Sequence, residues 1–150
     1  VKGMEVNQLH AVNLMRYTEA FLIYAEAANQ AWGPDGKGNH AYSARDIIAR
    51  LRSTAGIVSN DSYLASLTTK ADFETLIHNE RRLELCFENF RFWDIRRWGD
   101  LTAMQAEVKG TTTGGVTSFV VEQRSYANYM IYGPIPVGEV RKGLEQNQGW

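Results

Sequence analysis

The sequence has few of the residues that build disulfide frameworks, metal centres and membrane spans. It contains one cysteine, Cys86, which excludes an internal disulfide bond. The three histidines, His10, His40 and His78, stand apart from one another, and the Glu-x-x-His pairs of a di-metal bundle are missing, so no metal or other cofactor is expected. No apolar run approaches the roughly 18 residues that a membrane-spanning helix requires. The net charge of −1 gives no overall attraction to nucleic acid or to a membrane surface.

The composition that remains is typical of an ordinary globular protein, with 44% hydrophobic and 22% charged residues. A chain of 150 residues predicts one domain, whose core buries roughly 70% of the surface that the unfolded chain exposes. Apolar residues recur at helical spacing in three segments, which predicts helices near residues 14–31, 41–55 and 71–98. A short glycine-rich loop joins the first two helices, and small alanines lie along them. This pattern predicts a helical hairpin of the tetratricopeptide type.

A small β element is expected near residues 116–132. Residues 116–123 alternate enough between apolar and polar side chains to form a strand, and the aromatic stretch 126–132 is a candidate for its partner. The predicted fold class is therefore mainly α, with a tetratricopeptide-like hairpin, a long third helix and this β element.

The third predicted helix carries charged residues on its apolar face. Placed at helical pitch, that face contains Leu76, Ile77, Leu83, Phe87 and Trp98 together with Glu80, Glu84, Arg91 and Asp94. A buried charge is costly unless it is paired, so we expect the four charged residues to be largely buried and paired within the fold. The predicted structural charge network comprises Arg16, Glu19, Glu26, Arg52, Glu80, Arg81, Glu84, Glu88, Arg91 and Asp94.

Catalysis by the carboxylates of this helix is not expected. Glu80, Glu84 and Glu88 follow one another at four-residue steps, as a pair of glycosidase carboxylates could. The neighbouring arginines keep carboxylates ionised, however, whereas a general acid needs a raised pKa. The acids in turn cancel the positive potential that a phosphate or nucleic-acid site would need. We therefore predict a protein that is not an enzyme and does not bind nucleic acid.

Exposed aromatic residues are the candidates for a ligand-binding role, because sugars present C–H faces that stack on indole and phenol rings. Most aromatic residues in a domain of this size belong to the core, so both interpretations stay open for each candidate. The candidate ligand-binding residues are Trp32, Tyr63, Trp93, Tyr126 and Tyr129.

Three segments carry a family resemblance. Residues 80–98 read ERRLELCFENFRFWDIRRW, and the chain closes with PIPVGE at 134–139 and QNQGW at 146–150. These segments resemble the long signature and the closing PIP-x-x-E and QNPGY motifs of the SusD/RagB family. The hairpin region, from about residue 16 to residue 56, also resembles the last hairpin of that family. Gln148 stands where the family usually has proline, and Trp150 where it usually has tyrosine.

The resemblance implies a SusD-like fold, of which residues 1–150 form the C-terminal portion. Members of that family are outer-membrane lipoproteins that capture nutrients, usually glycans, for a SusC-like TonB-dependent transporter. The resemblance thus implies an oligosaccharide or other nutrient ligand, a transporter partner, and a surface-exposed location at the outer membrane. Membrane attachment is expected only through a lipid anchor that precedes Val1, since residues 1–10 match neither a signal peptide nor a lipidation site.

The resemblance assigns no ligand-binding residue, because the family's binding residues lie outside the shared motif. The residues alone also allow an alternative function, a free-standing tetratricopeptide-like scaffold that binds partner proteins.

Overall fold

The computed structural model describes residues 15–57, 60–112, 114 and 117–150. The fold is mainly helical, as the periodicity predicted, and the one sheet found in the described residues has two strands. The chain divides into two compact units, of which the first ends at Glu88 and the second begins at Asn89. None of the described helices is long and apolar enough to cross a membrane.

The first unit is built on the predicted helical hairpin. Helix α1 spans Tyr17–Trp32 and helix α2 spans Ala44–Thr54, which agrees with the predicted helices to within a few residues. The start of the first predicted helix, residue 14, lies outside the described residues. Ser43 caps α2, because its hydroxyl accepts from the Asp46 amide at 3.1 Å while its own amide donates to the Asp46 carboxylate at 2.8 Å. This reciprocal pair fixes the residue at which α2 begins.

Helix α4, at Lys70–Glu84, completes the core of the first unit by packing against α1. Leu22 of α1, Ile48 of α2, and Phe73 and Ile77 of α4 are fully buried. The short helix α3, at Ser62–Ser66, lies between α2 and α4 in the sequence and buries Leu64. The apolar stripes that predicted the three helices therefore meet in one core.

The predicted helix over residues 71–98 is wrong as a single element, because the structure divides it in two. Helix α4 ends at Glu84, and α5 begins at Phe90 and ends at Arg97. In the connection between them, Phe87 and Asn89 have φ values of 64° and 66°, in the left-handed region. Asparagine tolerates that region, but a bulky residue such as phenylalanine rarely adopts it. The connection contains no glycine or proline, the residues from which a helix break can be predicted. Phe87, which was expected on the buried face, is consequently fully exposed.

The second unit contains short elements. Helix α6 spans Leu101–Gln105 and is capped by Asp100, whose carboxylate accepts from the Ala103 amide at 2.9 Å. Strand β1, at Val108–Thr111, pairs antiparallel with strand β2, at Ser118–Glu122. A 3-10 helix at Asn128–Ile131 and helix α7 at Val137–Val140 follow.

The predicted β element is present, but its expected pairing is wrong. Strand β2 lies within the predicted strand at 116–123, of which Val116 lies outside the described residues, whereas its partner is β1 and not the stretch 126–132. Gly110 of β1 makes the observed pairing sterically possible. A Cβ atom at Gly110 would lie 2.8 Å from the ring of Phe119, so the absence of a side chain there lets the ring cross the strand.

The last residues of the chain form hydrogen bonds with the loop at residues 132–135. Gln146 accepts from the Ile135 amide at 2.7 Å and donates to the Ile135 carbonyl at 3.0 Å. Asn147 donates to the carbonyl of Gly133 at 2.6 Å, and the Trp150 indole donates to the Tyr132 carbonyl at 2.9 Å. We call Gln146, Asn147 and Trp150 the terminal clasp.

Candidate functional site

The charged residues of the first unit centre on Arg52 of α2. Its Nε lies 2.5 Å from an Asp61 carboxylate oxygen, and its Nη1 lies 2.7 Å from Glu80 Oε1. The Glu80 side chain is 8% exposed and that of Arg52 is 15% exposed, so this ion pair is largely removed from water. Hydrogen bonds from Arg52 and from the Leu64 amide hold the pKa of Asp61 below its usual range. The three charges therefore tie α2 to α4 and to the start of α3.

A second arginine on α2, Arg45, was missed as a network member. Its guanidinium binds both oxygens of Asp35, at 2.6 and 3.1 Å, and donates to the carbonyls of Leu64 and Leu67 at the end of α3. It also lies 5.0 Å from the centre of the Phe73 ring. Arg45 and Arg52 are two helical turns apart, on one edge of α2. From this spacing, Arg45 could have been included in the predicted charge network together with Arg52.

Arg16, just before α1, binds the segment that follows α4. Its guanidinium lies 2.6 Å from Glu88 and also donates to the main-chain carbonyl of Glu84. The Glu84 carboxylate itself makes no ion pair with any described residue, which differs from the expected pairing. Glu84 contributes to the fold through its backbone, and its side chain is only half-buried.

The remaining members of the predicted network divide between buried and accessible positions. Asp94 is buried and lies 3.2 Å from Arg97, and Arg81 is also buried. The half-buried members are Glu19 and Glu26. Arg91 was expected to be buried, but it is exposed and lies near the Trp98 ring, 6.0 Å from its centre. Arg91 belongs to α5, which is a helix separate from α4, so a single helical projection over both segments does not apply to it.

Two of the five aromatic candidates lie in the first unit. The Trp32 ring is 44% exposed, but one side of it is covered by its own loop, since a Cβ atom at Gly38 would lie 2.9 Å from the ring. His40 covers a further part, with ring centres 5.2 Å apart. Tyr63 is half-exposed and lies 5.7 Å from the Arg52 guanidinium. Both rings thus contact other parts of the fold on one side and stay partly exposed on the other.

The other three aromatic candidates lie in the second unit. Tyr129 packs edge-on against Trp150, with ring centres 5.2 Å apart, and thus supports the terminal clasp. Trp93 of α5 is 66% exposed, and it is the most accessible of the five candidates. Tyr126 lies on the same surface as α5, because its ring is 5.7 Å from the guanidinium of Arg96.

Trp93 and Tyr126 belong to a row of four side chains on α5 and the segment after β2. The Trp93 ring meets the Phe92 ring edge to face, at 5.0 Å between centres and an angle of 84°. The Arg96 guanidinium lies 3.5 Å from the centre of the Phe92 ring. We call Phe92, Trp93, Arg96 and Tyr126 the aromatic–arginine cluster.

Sequence reasoning missed Phe92 and Arg96 as parts of this cluster. The signal was an aromatic residue followed four residues later by an arginine, a spacing that places both on one helix face and permits a cation–π contact. The hydroxyl of Tyr126 is buried and has no hydrogen-bond partner among the residues that the structure describes. The cluster therefore combines an exposed tryptophan with a cation stacked on a phenylalanine ring, and the buried Tyr126 hydroxyl is not available to a ligand on this surface.

No group of histidine, cysteine and carboxylate side chains suited to a metal ion is present in the described part of the chain.

Comparisons with known proteins identify the family. The model of the SusD family matches residues 3–150. The SusD-like protein P38 of Formosa agariphila is 26% identical over 122 residues, which cover 74% of this chain and 24% of that protein. The crystal structure of a SusD-like protein from Bacteroides fragilis matches with a TM-score of 0.69 and 26% identity, over 91% of this chain and 25% of that one. The chain thus spans about a quarter of the length of these relatives, and because the family match covers nearly all of it, the chain belongs to the SusD family.

Proposed function

We propose that this protein is a non-enzymatic glycan- or nutrient-binding protein of the outer-membrane surface, which delivers its ligand to a SusC-like TonB-dependent transporter. Membership of the SusD family supports the binding role. We further propose that the chain corresponds to the C-terminal portion of a SusD-like domain, since residues 134–139 and 146–150 resemble the closing motifs of the family and the chain matches about a quarter of each relative's length.

The observation that carries the proposal is the match of the SusD family model to residues 3–150, and Trp93, at 66% exposure, is the candidate contact that the residues of this chain offer. A pyranose ring can stack its C–H groups on an indole, and a two-thirds exposed ring leaves the area for that contact. The contact between Trp93 and Phe92 holds the indole in place, which lowers the entropy that a ligand must overcome in ordering it. One stacking platform supports only weak binding, with a dissociation constant on the order of millimolar.

No observation favours the alternative of a tetratricopeptide-like scaffold for partner proteins. In the first unit, α1 packs against both α2 and α4, so the fold itself uses two sides of this helix.

The binding role is tested by titrating the chain with neutral and acidic oligosaccharides while indole fluorescence and amide NMR signals are recorded. We expect shifts centred on α5 and their loss in Trp93→Ala. Tyr42→Ala is the matched control, since Tyr42 is half-exposed and its one hydrogen bond to a described residue uses the main-chain carbonyl. Binding that survives Trp93→Ala unchanged would refute the assignment to the cluster.

The delivery role needs a separate experiment. Tagged full-length protein, purified from its native outer membrane in mild detergent, should retain a TonB-dependent transporter. Recovery of the protein without any such transporter would contradict this part of the proposal.

A further inference from the structure

Four large apolar side chains of the first unit are unusually accessible to water. Met15, Tyr17, Leu83 and Phe87 are each at least 67% exposed, and Phe87 is fully exposed. Every other large apolar residue that the structure describes in this unit is at most 52% exposed. Single exposed apolar residues are common on soluble proteins, whereas several that lie together indicate a surface that binds something. We call these four residues the apolar patch.

The contacts of Arg16 bring the two halves of the apolar patch together. Two of its members flank Arg16, whose guanidinium binds Glu88 at 2.6 Å and donates to the main-chain carbonyl of Glu84. The other two members directly precede Glu84 and Glu88 in the sequence. The start of α1 therefore lies against the end of α4, and each patch residue is the chain neighbour of a residue in this contact. The ion pair also neutralises the charges that lie beside the patch.

The backbone of Phe87 indicates a packing partner outside the described residues. Its φ of 64° lies in the left-handed region, where a bulky side chain is disfavoured. Such a conformation persists only where the surrounding structure enforces it. The described residues do not enforce it through the ring, because the ring is fully exposed. A surface that covers the ring supplies the missing packing.

The chain is short relative to the proteins that share its fold. It spans 24% of the Formosa agariphila relative and 25% of the Bacteroides fragilis one. The structure of the latter matches over 91% of this chain, so in that protein the matching fold is one quarter of a longer polypeptide.

The size of the apolar patch favours a covalently connected partner. Separate proteins form stable complexes through roughly 20–30 residues a side, because the interface must offset the freedom that two molecules lose. A segment of the same polypeptide does not lose that freedom on docking, so a few apolar residues suffice. Aromatic residues and methionine, which supply three of the four patch side chains, are enriched at the centres of protein interfaces.

We propose that the apolar patch is the docking surface for the part of its own polypeptide that lies outside residues 1–150, with an apolar segment packed over Phe87 and Tyr17. This assignment rests on the proposal that the chain is the C-terminal portion of a SusD-like domain. It gives Leu83 and Phe87 of the signature segment a role in assembling that domain.

Hydroxyl-radical footprinting of the full-length protein tests the docking, because methionine, tyrosine, leucine and phenylalanine side chains react with the radical when water reaches them. The protein is isolated as a monomer, so that neither a second copy nor a transporter covers the patch. Oxidation rates are compared with those of the same protein unfolded in urea. We expect Tyr17 and Phe87 to lose most of their reactivity on folding, as the fully buried Phe73 should. Rates at Tyr17 and Phe87 close to the unfolded values would overturn the inference.

Phe87→Asn in the full-length protein gives a second test, in which the sign of the effect decides. Asparagine tolerates the left-handed region, so the change would raise the melting temperature if the ring were exposed in the complete protein. Docking predicts the opposite, a melting temperature lowered by about 2 °C or more, because the docked ring is lost. Tyr42→Asn removes a half-exposed ring outside the patch and should leave the melting temperature nearly unchanged. An unchanged or raised melting temperature in Phe87→Asn would contradict the docking.

The outcomes separate the docking from the proposal on which it rests. Intact-mass measurement of the native protein comes first, and a polypeptide no longer than 150 residues would overturn both the C-terminal assignment and the docking. A longer polypeptide whose apolar patch stays reactive would overturn the docking alone.

Discussion

The ion pair between Arg52 and Glu80 supports a sharp prediction about stability. Glu80→Ala removes a carboxylate that is 8% exposed and leaves Arg52, at 15% exposure, with Asp61 alone. Removing one partner of a buried pair costs about 3–5 kcal/mol. Because Asp61 remains, we expect the lower end, about 3 kcal/mol. That is a large part of the roughly 5–15 kcal/mol by which a domain is stable.

The matched control is Glu84→Ala, one helical turn further along α4. The carboxylate of Glu84 has no ion pair among the described residues, and the Arg16 contact uses the Glu84 carbonyl, which alanine retains. We expect a loss within about 0.5 kcal/mol, as for ordinary surface substitutions. Urea unfolding followed by circular dichroism measures both variants, and a melting temperature lowered by roughly 6–12 °C should accompany Glu80→Ala.

An equal loss of stability in the two variants would refute the reasoning. It would mean that the charges of α4 stabilise the fold through their helical position and not through burial with Arg52.

Three further predictions concern pH and glycine positions. The pKa of Asp61 is lowered mainly by Arg52. The stability that the Asp61 carboxylate contributes is therefore complete above its unfolded pKa of about 4 and is lost as pH falls through the lowered folded-state pKa. Thermal melts between about pH 2 and pH 6 should show a smaller acid-induced loss of stability in Asp61→Asn than in the parent. Gly149→Ala places a Cβ atom 2.5 Å from an aromatic ring at a φ of 96° and should cost about 1–3 kcal/mol, whereas Gly138→Ala, with no atom within 4 Å, should be nearly neutral in the same urea titration. Gly110→Ala should speed hydrogen exchange of the β1 and β2 amides, because the ring that crosses Gly110 must move.

The sequence predicted those parts of the fold that local patterns control. The apolar stripes predicted the helices of the first unit, and local side-chain chemistry also begins α4 and α6, which Thr69 and Asp100 cap. The break after Glu84 was not predictable in this way, because it depends on Phe87 adopting a left-handed conformation that its side chain disfavours. Only the surrounding packing selects such a conformation.

The candidate site was predictable only in part, because local sequence patterns indicate single residues but not their tertiary contacts. Side chains were proposed from their chemistry, and Trp93 and Tyr126 do lie on one surface. Phe92 and Arg96 lie between them, and the contact of Arg96 with Tyr126 depends on the return of the chain toward α5 after β2. Contacts between residues that are distant in the sequence depend on the tertiary structure. The periodicity of apolar residues does not predict such contacts.

The terminal clasp has a consequence for how the closing segments of this chain can change over evolution. Proline has no N–H, so in the stretch from Pro134 to Pro136 the single amide donor belongs to Ile135, and the Gln146 side chain accepts from it. Gln146 Oε1 also accepts from the Asn147 amide at 2.9 Å, so this oxygen already uses both of its lone pairs. Replacing Gln146 would leave the amide of the half-buried Ile135 without its acceptor, whereas Pro134 and Pro136 are exposed, so water can bind an N–H that a substitution there adds. We therefore expect position 146 to vary less than positions 134 and 136, and less than the exposed Gln148.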